Sequence, residues 1–306
     1  MAQFSRRQFL HLAGVTLLAA RLPGFAALAE AAASAPAIAV QQGRTLLPAS
    51  VHARPSADAA VVGRLWPDSI VPLADASAGW YRTAGGFVER GAVQPVARHS
   101  PTEAAPAPAP PFWAEVAGPV AAVRRWCAAD APLVARIGHG GTAQIIAAPP
   151  PGAAGGPPWY GLADGAGALL GWTQTAQWRP VRPEAEGEGA ALRLEIARRD
   201  SQLTVFVGER PALRAPVAAG ARLEPGCYPL RRARVAGPPL ALVEYGDGAL
   251  YGAPWQLDLG GQHWLTGAYW HNRFGGWAPG PDVQVPPFLA RWLYAQTGPG
   301  SAADIR

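Results

Sequence analysis

Residues 267–275 decide the fold of this chain: they read GAYWHNRFG and are followed, after a short interval, by ARWLY at residues 290–294. The interval contains PGPDVQ at residues 279–284, in which Asp282 is the only ionisable side chain. Pro279 and Pro281 each have a fixed φ and no backbone N–H. The sequence therefore places a conformationally restricted turn after an aromatic segment.

The spacing of these blocks resembles the active-site segment of the L,D-transpeptidase (YkuD-like) family. In that family the interval holds S-H-G-C-[VI]-N, and the pair before A-Y-W-H is H-G. Counting without a gap puts Asp282 at the position of the nucleophilic cysteine. Gly280 falls at the active-site histidine, Thr266 at the second histidine, and Pro279 and Pro281 at the serine and glycine. The resemblance covers the fold signature but not the catalytic block.

The resemblance implies a reaction that this sequence is not equipped to perform. Family members cleave a peptidoglycan stem peptide and transfer its acyl group, using a thiolate that a histidine activates. Asp282 is a weak nucleophile because its usual pKa is near ~3.9 and its acyl product would be a labile anhydride. Gly280 has no side chain that could carry a proton. We predict no catalytic residue, and therefore a protein that has lost the family's acyltransferase activity.

Other side chains of this region have structural interpretations. Cys227 follows a turn that resembles a family landmark, which predicts a buried thiol on a strand. His271 is predicted to pack or to form a hydrogen bond rather than to act as a base. The residues His263, His271, Asp258 and Asp282 have no metal-binding spacing, so neither a metal nor another cofactor is expected.

The aromatic segment also predicts a binding cleft. Aromatic and arginine side chains can hold a peptide or a glycan without reacting with it. The alternative is that the sheet alone requires these residues, and the sequence leaves both interpretations open. The candidate binding residues are Tyr269, Trp270, His271, Arg273 and Trp277. For Asp282, an arginine partner such as Arg273 or Arg291 is expected, because a buried unpaired carboxylate is unfavourable.

Two segments upstream resemble bacterial SH3 domains. Residues 45–97 contain the strand-length runs VVGRL, GWYR and GFV, and residues 118–181 contain LVARI, WY and GWT in the same order. A proline-rich and alanine-rich linker is predicted at 98–117, and an acidic linker at 182–190. The L,D-transpeptidase-like domain is predicted at 191–298, followed by a C-terminal tail at 299–306. The predicted fold class is mainly β, with two small SH3-like barrels followed by a YkuD-like β-sandwich.

The N-terminus resembles a twin-arginine signal peptide. SRRQFL at residues 5–10 precedes a short apolar run and a small-x-small site at 27–29, which predicts removal of residues 1–29. We therefore expect export to the periplasm or cell envelope, with no transmembrane anchor after cleavage. Free buried thiols are expected at Cys127 and Cys227. The net charge of +5 comes from arginines without a basic run, which argues against nucleic-acid binding.

These observations give one leading hypothesis and two alternatives. The leading hypothesis is an exported protein whose degenerate L,D-transpeptidase-like domain binds peptidoglycan, a cell-wall peptide or another wall partner. The first alternative is a divergent, active transpeptidase or peptidase that acts on stem peptides with rearranged catalytic residues. The second is a structural module of the envelope that binds proteins through its SH3-like domains.

Overall fold

The structure is a computed structural model that describes residues 16–17, 42–77, 79–96, 108–148, 158–183, 189, 191–220, 223–242 and 249–306. The predicted signal peptide lies outside the described residues apart from Thr16–Leu17, a short strand that pairs with the C-terminal domain. Half of the predicted linker at 98–117 and most of the acidic linker at 182–190 also lie outside them.

The chain is mainly β, as predicted. Strands β1 to β28 are, in chain order, Thr16–Leu17, Gln42–Thr45, Ala49–His52, Val61–Leu65, Ile70–Pro72, Ala74–Ser77, Trp80–Thr83, Gly86–Glu89, Val93–Val96, Phe112–Val116, Val120–Arg124, Leu133–Gly138, Thr142–Ala147, Trp159–Ala163, Leu169–Gln174, Trp178–Val181, Leu192–Ala197, Gln202–Val207, Arg210–Pro216, Ala218–Ala219, Gly226–Pro229, Arg231–Ala236, Leu240–Ala241, Ala249–Leu250, Pro254–Gly260, His263–Gly267, Val283–Val285 and Ala302–Ile305. Helix α1 is Pro287–Gln296. No helix of the described residues has the length and apolar character needed to cross a bilayer.

The first two modules repeat one strand arrangement. In the first, β4-β3-β8-β7-β6 form one sheet and β5-β2-β9 another, and in the second the order is β12-β11-β15-β14-β13-β10-β16. The registers also correspond: Ser50 pairs with Arg64 in the first module, and Ala122 pairs with Arg136 in the second. Both hairpins carry a register shift at the same place. The internal repetition predicted from the sequence is therefore present in the strand pairing.

Two predicted boundaries need correction. The first module begins at β2, before residue 45, because β2 pairs with both β5 and β9. The second module begins at β10, inside the predicted linker, because β10 pairs with both β13 and β16. The alanine-proline alternation that precedes β10 concealed the start of this strand.

The C-terminal module is a pair of packed sheets, ordered β1-β19-β18-β17-β28-β21 and β20-β27-β26-β25-β22. The strict alternation along β17 sends Leu192, Leu194 and Ile196 into the core between the sheets. Helix α1 packs on this core through Leu289, Ala290, Leu293 and Tyr294.

Residues 299–306, predicted to be a tail, are instead part of the sheet. Strand β28 lies between β17, to which it is parallel, and β21, to which it is antiparallel. Ala303 and Ile305 are buried in the sandwich core. The C-terminal residues therefore complete the domain, and a boundary at residue 298 is wrong.

The two cysteines are free thiols, but both are exposed rather than buried. Cys127 lies in the turn between β11 and β12. Cys227 lies on β21, at the edge of its sheet, where the side chain faces away from the core. The prediction of a strand position for Cys227 is confirmed, and the prediction of burial is wrong because an edge strand has a face that the sandwich does not cover.

The three modules meet at a glycine-rich loop of the second module, residues 138–141. A Cβ atom at Gly138 would lie 2.1 Å from Nη1 of Arg44, which belongs to the first module, and 2.6 Å from Cδ2 of Tyr269, which belongs to the third. A Cβ at Gly141 would lie 3.2 Å from Cδ1 of Tyr269. The absence of side chains at these positions permits the close approach of the three modules.

Replacement of Gly138 by alanine should destabilise the protein, because the new methyl group overlaps Arg44 and Tyr269. We expect a cost of about 1–3 kcal/mol, the usual range for overpacking, visible as a lower melting temperature in differential scanning calorimetry. Gly85→Ala is the matched control, because a Cβ at Gly85 would meet no atom within 4 Å. Equal melting temperatures for the two variants would contradict this account of the junction.

Candidate functional site

The candidate site is the loop of residues 268–282, which connects the parallel neighbours β26 and β27. A loop of this length without regular structure is commonly functional. Backbone hydrogen bonds fix it at several points: Ala268 donates to the Val285 carbonyl (2.9 Å) and Gly275 to the Val217 carbonyl (2.9 Å). The loop is therefore held by the sandwich at its start and in its middle.

The first half of the loop is buried between modules. Tyr269 and Trp270 belong to the hydrophobic core of the second module, and their rings meet edge to face at 5.4 Å. The Tyr269 hydroxyl donates to the Tyr251 carbonyl (2.5 Å). Burial raises the pKa of Tyr269 far above its usual value, and the nearby charge of Arg44 opposes this only in part. Tyr269 is therefore a neutral hydrogen-bond donor at any physiological pH.

Asn272 fixes the loop to the first module. Its Nδ2 donates to the carbonyls of Arg90 (3.0 Å) and Val93 (2.9 Å). Both carbonyls lie at the short turn between β8 and β9. One amide side chain thus connects two modules that are far apart in the sequence.

His271 is a buried, neutral hydrogen-bonding residue, as predicted. Its Nδ1 accepts the backbone N–H of Arg273 (3.1 Å), so Nε2 carries the proton that is donated to Oε1 of Gln284 (2.8 Å). Burial lowers the pKa of His271 to about 4, and the charge of Arg273 acts in the same direction, while the bond to Gln284 opposes it. His271 has no lone pair left for a substrate.

Gln284 organises the turn in which the family resemblance places the catalytic block. Its Nε2 lies within hydrogen-bonding distance of the carbonyls of Ala278 (3.4 Å), Pro279 (3.1 Å) and Pro281 (3.2 Å). Carbonyl oxygens rather than N–H groups therefore converge inside this turn. An oxyanion hole is lined by hydrogen-bond donors, whereas the carbonyls that surround Gln284 are acceptors.

Gly280 and Thr266 occupy the positions of the family's two histidines, and the surrounding structure suits the residues that are present. Gly280 has φ +121°, and a Cβ there would lie 3.3 Å from Nε2 of Gln284. A histidine at this position would be strained in the present backbone. Thr266 is fully buried and donates its hydroxyl proton to the Pro254 carbonyl (3.2 Å).

Asp282 is paired with a histidine rather than with an arginine. Its Oδ2 lies 3.1 Å from Nδ1 of His263 and 3.3 Å from the backbone N of Trp264. The predicted partnership with Arg273 or Arg291 is wrong, and Arg291 instead donates to Glu115 of the second module (3.1 Å). His263 reaches Asp282 because β26 and β27 are parallel neighbours in the sheet.

The His263–Asp282 pair is open to solvent on one side. The side chain of His263 is 26% exposed and that of Asp282 is 12% exposed. The ring of Tyr228 meets His263 edge to face at 5.9 Å. Because Asp282 contacts Nδ1, Nε2 is left without a hydrogen-bond partner among the described residues. A carboxylate that orients one ring nitrogen and leaves the other open is an arrangement suited to a general base.

The five candidate binding residues fall into two groups. Tyr269, Trp270 and His271 are buried and do not face solvent. Arg273 and Trp277 are exposed, and Trp277 retains 60% of its accessible surface. In this conformation a ligand could reach Arg273 and Trp277 but not the other three residues.

A small cavity of the structure lies away from this loop, and no metal-binding cluster accompanies the loop among the described residues. In the described ranges no group of three or more His, Cys, Asp or Glu side chains is placed to hold a metal ion. A cavity of about 70 Å³ lies elsewhere, between the second module and β22, and is lined by residues that include Trp113, Thr142 and Tyr251. Its size suits a few water molecules rather than a peptide.

Three residues that form the contacts of this loop had no signal in the sequence. His263 lies two residues after a glycine pair and resembles a turn residue, Asn272 lies inside the aromatic segment, and Gln284 occupies an ordinary strand position. Each acquires its role from a partner on another strand or module. Only the strand order of the folded chain brings these partners together.

The comparisons with known proteins return only distant similarities. No protein-family profile matches the chain, and no curated protein matches it. Similar solved structures include an L,D-transpeptidase from Mycobacterium smegmatis (12% identity, 49% of this chain and 91% of that chain, TM-score 0.32) and one from Stackebrandtia nassauensis (13%, 39% and 58%, 0.29). The C442S mutant of the Enterococcus faecium L,D-transpeptidase is a third (14%, 39% and 50%, 0.29). The chain spans little more than half the length of the S. nassauensis protein, and with TM-scores near 0.3 no functional inference rests on these similarities.

The burial of neutral His271 should make the stability of the protein depend on pH. Its folded pKa of about 4 lies below the ordinary value of 6.5, so between these two values the unfolded chain binds the proton that the folded chain excludes. The stabilisation that comes from keeping His271 neutral is complete above pH 6.5. As the pH falls toward 4, the free energy of unfolding decreases by up to about 3 kcal/mol for this reason. Urea denaturation across this pH range measures the effect.

The His271→Gln variant should lose this part of the pH dependence, because glutamine does not titrate. His139→Gln is the control, since His139 is only half-buried and lies outside the loop. If wild type and His271→Gln lose stability in parallel between pH 6.5 and 4, the assignment of a buried neutral His271 is incorrect.

Proposed function

We propose that this protein is an exported, cell-wall-associated protein whose C-terminal module is a catalytically degenerate L,D-transpeptidase-like domain that binds peptidoglycan or a wall partner without cleaving it. The proposal rests on the sequence resemblance at residues 267–284 and on the geometry of the same segment. The twin-arginine motif at the N-terminus supports delivery to the periplasm or cell envelope.

One observation carries the loss of acyl transfer: the turn at residues 278–282 is built around the Gln284 side chain. Its carbonyls point at the Gln284 amide, Gly280 adopts a backbone conformation that disfavours a histidine, and Asp282 is held by His263. A thiolate mechanism requires a nucleophile, a base and N–H donors around one point. In this turn the carbonyls surround the Gln284 amide and Asp282 is paired with His263, which supports a binding role.

The surface that supports binding is the exposed part of the same loop. Trp277 is a large aromatic side chain with most of its surface in solvent, and Arg273 is exposed on the same loop. An indole ring and a guanidinium group suit the stacking and hydrogen bonding by which peptides and glycans are held. We infer that Arg273 and Trp277 contact the wall ligand.

Two measurements on the purified protein test this proposal. Mass spectrometry after incubation with a carbapenem should show no covalent adduct, because only an activated nucleophile is acylated. Sedimentation with purified sacculi should retain the wild type, and Trp277→Ala should reduce the bound fraction about fivefold or more. Trp126→Ala is the matched control, since Trp126 is also half-exposed but lies on the second module.

The outcomes separate the two parts of the proposal. A carbapenem adduct on any residue would refute the loss of the nucleophilic site. Equal sedimentation of wild type, Trp277→Ala and Trp126→Ala would refute the assigned binding surface.

The second candidate function is a divergent hydrolase or transpeptidase that acts on stem peptides, and the His263–Asp282 pair favours it. The open Nε2 of His263 could accept a proton from water while Asp282 holds the ring. A stem-peptide cleavage assay distinguishes the two functions: turnover that disappears in His263→Ala or Asp282→Ala, but not in Cys227→Ala, would establish the enzyme.

A third candidate is a structural envelope module that binds proteins through the two SH3-like modules. Recovery of a specific envelope protein together with the chain, combined with failure to sediment with sacculi, would favour this candidate over the other two.

A further inference from the structure

The internal repeat makes it possible to compare one surface of the first module with its counterpart in the second. Strands β4 and β12 are equivalent, since their registers and their register shifts coincide. Arg64 on β4 therefore corresponds to Arg136 on β12, and Trp66, which follows β4, corresponds to Gly138. The turns that follow also match: the backbone N–H of Asp68 bonds to Thr45 in the first module, as that of Gly140 bonds to Val116 in the second.

In the second module other parts of the chain occupy part of this surface, while the Arg136 side chain remains 59% exposed and Val134, the counterpart of Val62, 39% exposed. Nε of Arg136 lies 3.3 Å from Oδ2 of Asp68, which belongs to the first module. The ring of Tyr269 from the third module covers Gly138. The occupied surface therefore receives a carboxylate and an aromatic ring side by side.

The equivalent surface of the first module is open. Val62 is 55% exposed and Trp66 is 70% exposed. Arg64 is exposed as well, with neither an ion pair nor a hydrogen bond from its side chain in the part of the chain that the structure describes. Val62 and Arg64 share one face of the strand, and Trp66 follows at its end. We call Val62, Arg64 and Trp66 the open face.

We propose that the open face binds an acidic, aromatic-containing segment of a partner protein. The occupied counterpart shows which chemistry fits: a carboxylate at the arginine and a ring beside it. The exposed indole adds apolar and stacking area that Gly138 lacks in the second module. A guanidinium group without a partner among the described residues favours a carboxylate, with which it can form two parallel hydrogen bonds.

A second copy of this chain is a poor occupant of the open face. The carboxylate that fills the counterpart, Asp68, is already held by Arg44 (2.6 Å) and Arg136. In the second module the position of Asp68 is taken by Gly140, which has no side chain. The matching position of the repeated module thus offers a second copy no free carboxylate, and we assign the open face to a segment of another protein. This inference rests on the repeat and does not depend on the proposed function of the C-terminal module.

Fluorescence anisotropy with a fluorescein-labelled peptide of alternating glutamate and tyrosine tests the proposal. The purified wild-type protein should bind this peptide more tightly than a peptide in which glutamine replaces each glutamate. Arg64→Gln and Trp66→Ala should each weaken binding of the acidic peptide about fivefold or more. Both side chains are exposed, so the melting temperatures of the variants should equal that of the wild type.

Arg82→Gln is the matched control, because Arg82 is an exposed arginine of the same module on another strand and its loss changes the net charge equally. If Arg82→Gln and Arg64→Gln weaken binding equally, the peptide responds only to the net charge of the protein, and the proposal is overturned. Failure of the wild type to bind the acidic peptide would overturn it as well. Displacement of the peptide by purified sacculi would assign the face to wall carboxylates instead of a protein partner.

Discussion

Tyr269 lies where the three modules meet, and the burial of its ring depends on the glycines of residues 138–141. The ring packs in the core of the second module, its hydroxyl bonds to Tyr251, and Arg44 of the first module approaches the same point. Two further contacts extend this junction: Asn272 bonds to the turn after β8, and Arg291 bonds to Glu115. The loop that the family resemblance associates with catalysis is here a structural connection between modules.

This structural role is consistent with the altered chemistry of the loop. An active site needs a polar, accessible space in which groups converge on a substrate. In this chain the first half of the loop is buried and the turn at 278–282 is filled by the Gln284 amide. What remains accessible is the edge of the loop at Arg273 and Trp277 and the separate His263–Asp282 pair. Stability of the junction and access to the loop thus oppose each other.

The sequence predicted those features that depend on local pattern. Strand-length runs between turns predicted a mainly β chain, which the structure confirms, and the repeated runs have corresponding strand registers. The features that were missed depend on distant partners. The burial of Tyr269 requires the second module, the pairing of Asp282 with His263 requires β26 beside β27, and the exposure of Cys227 requires β21 at a sheet edge. Local spacing carries no information about such contacts.

Hydrogen–deuterium exchange of residues 267–285 in the wild-type protein tests the central claim most directly. If the loop is a fixed connection between the modules, its hydrogen-bonded amides, such as those of Ala268 and Gly275, should exchange as slowly as those of β25 and β26, because they open only with the C-terminal sandwich to which they are bonded. Exchange of these amides within seconds, while β25 and β26 remain protected, would show that the loop moves independently and would contradict the account.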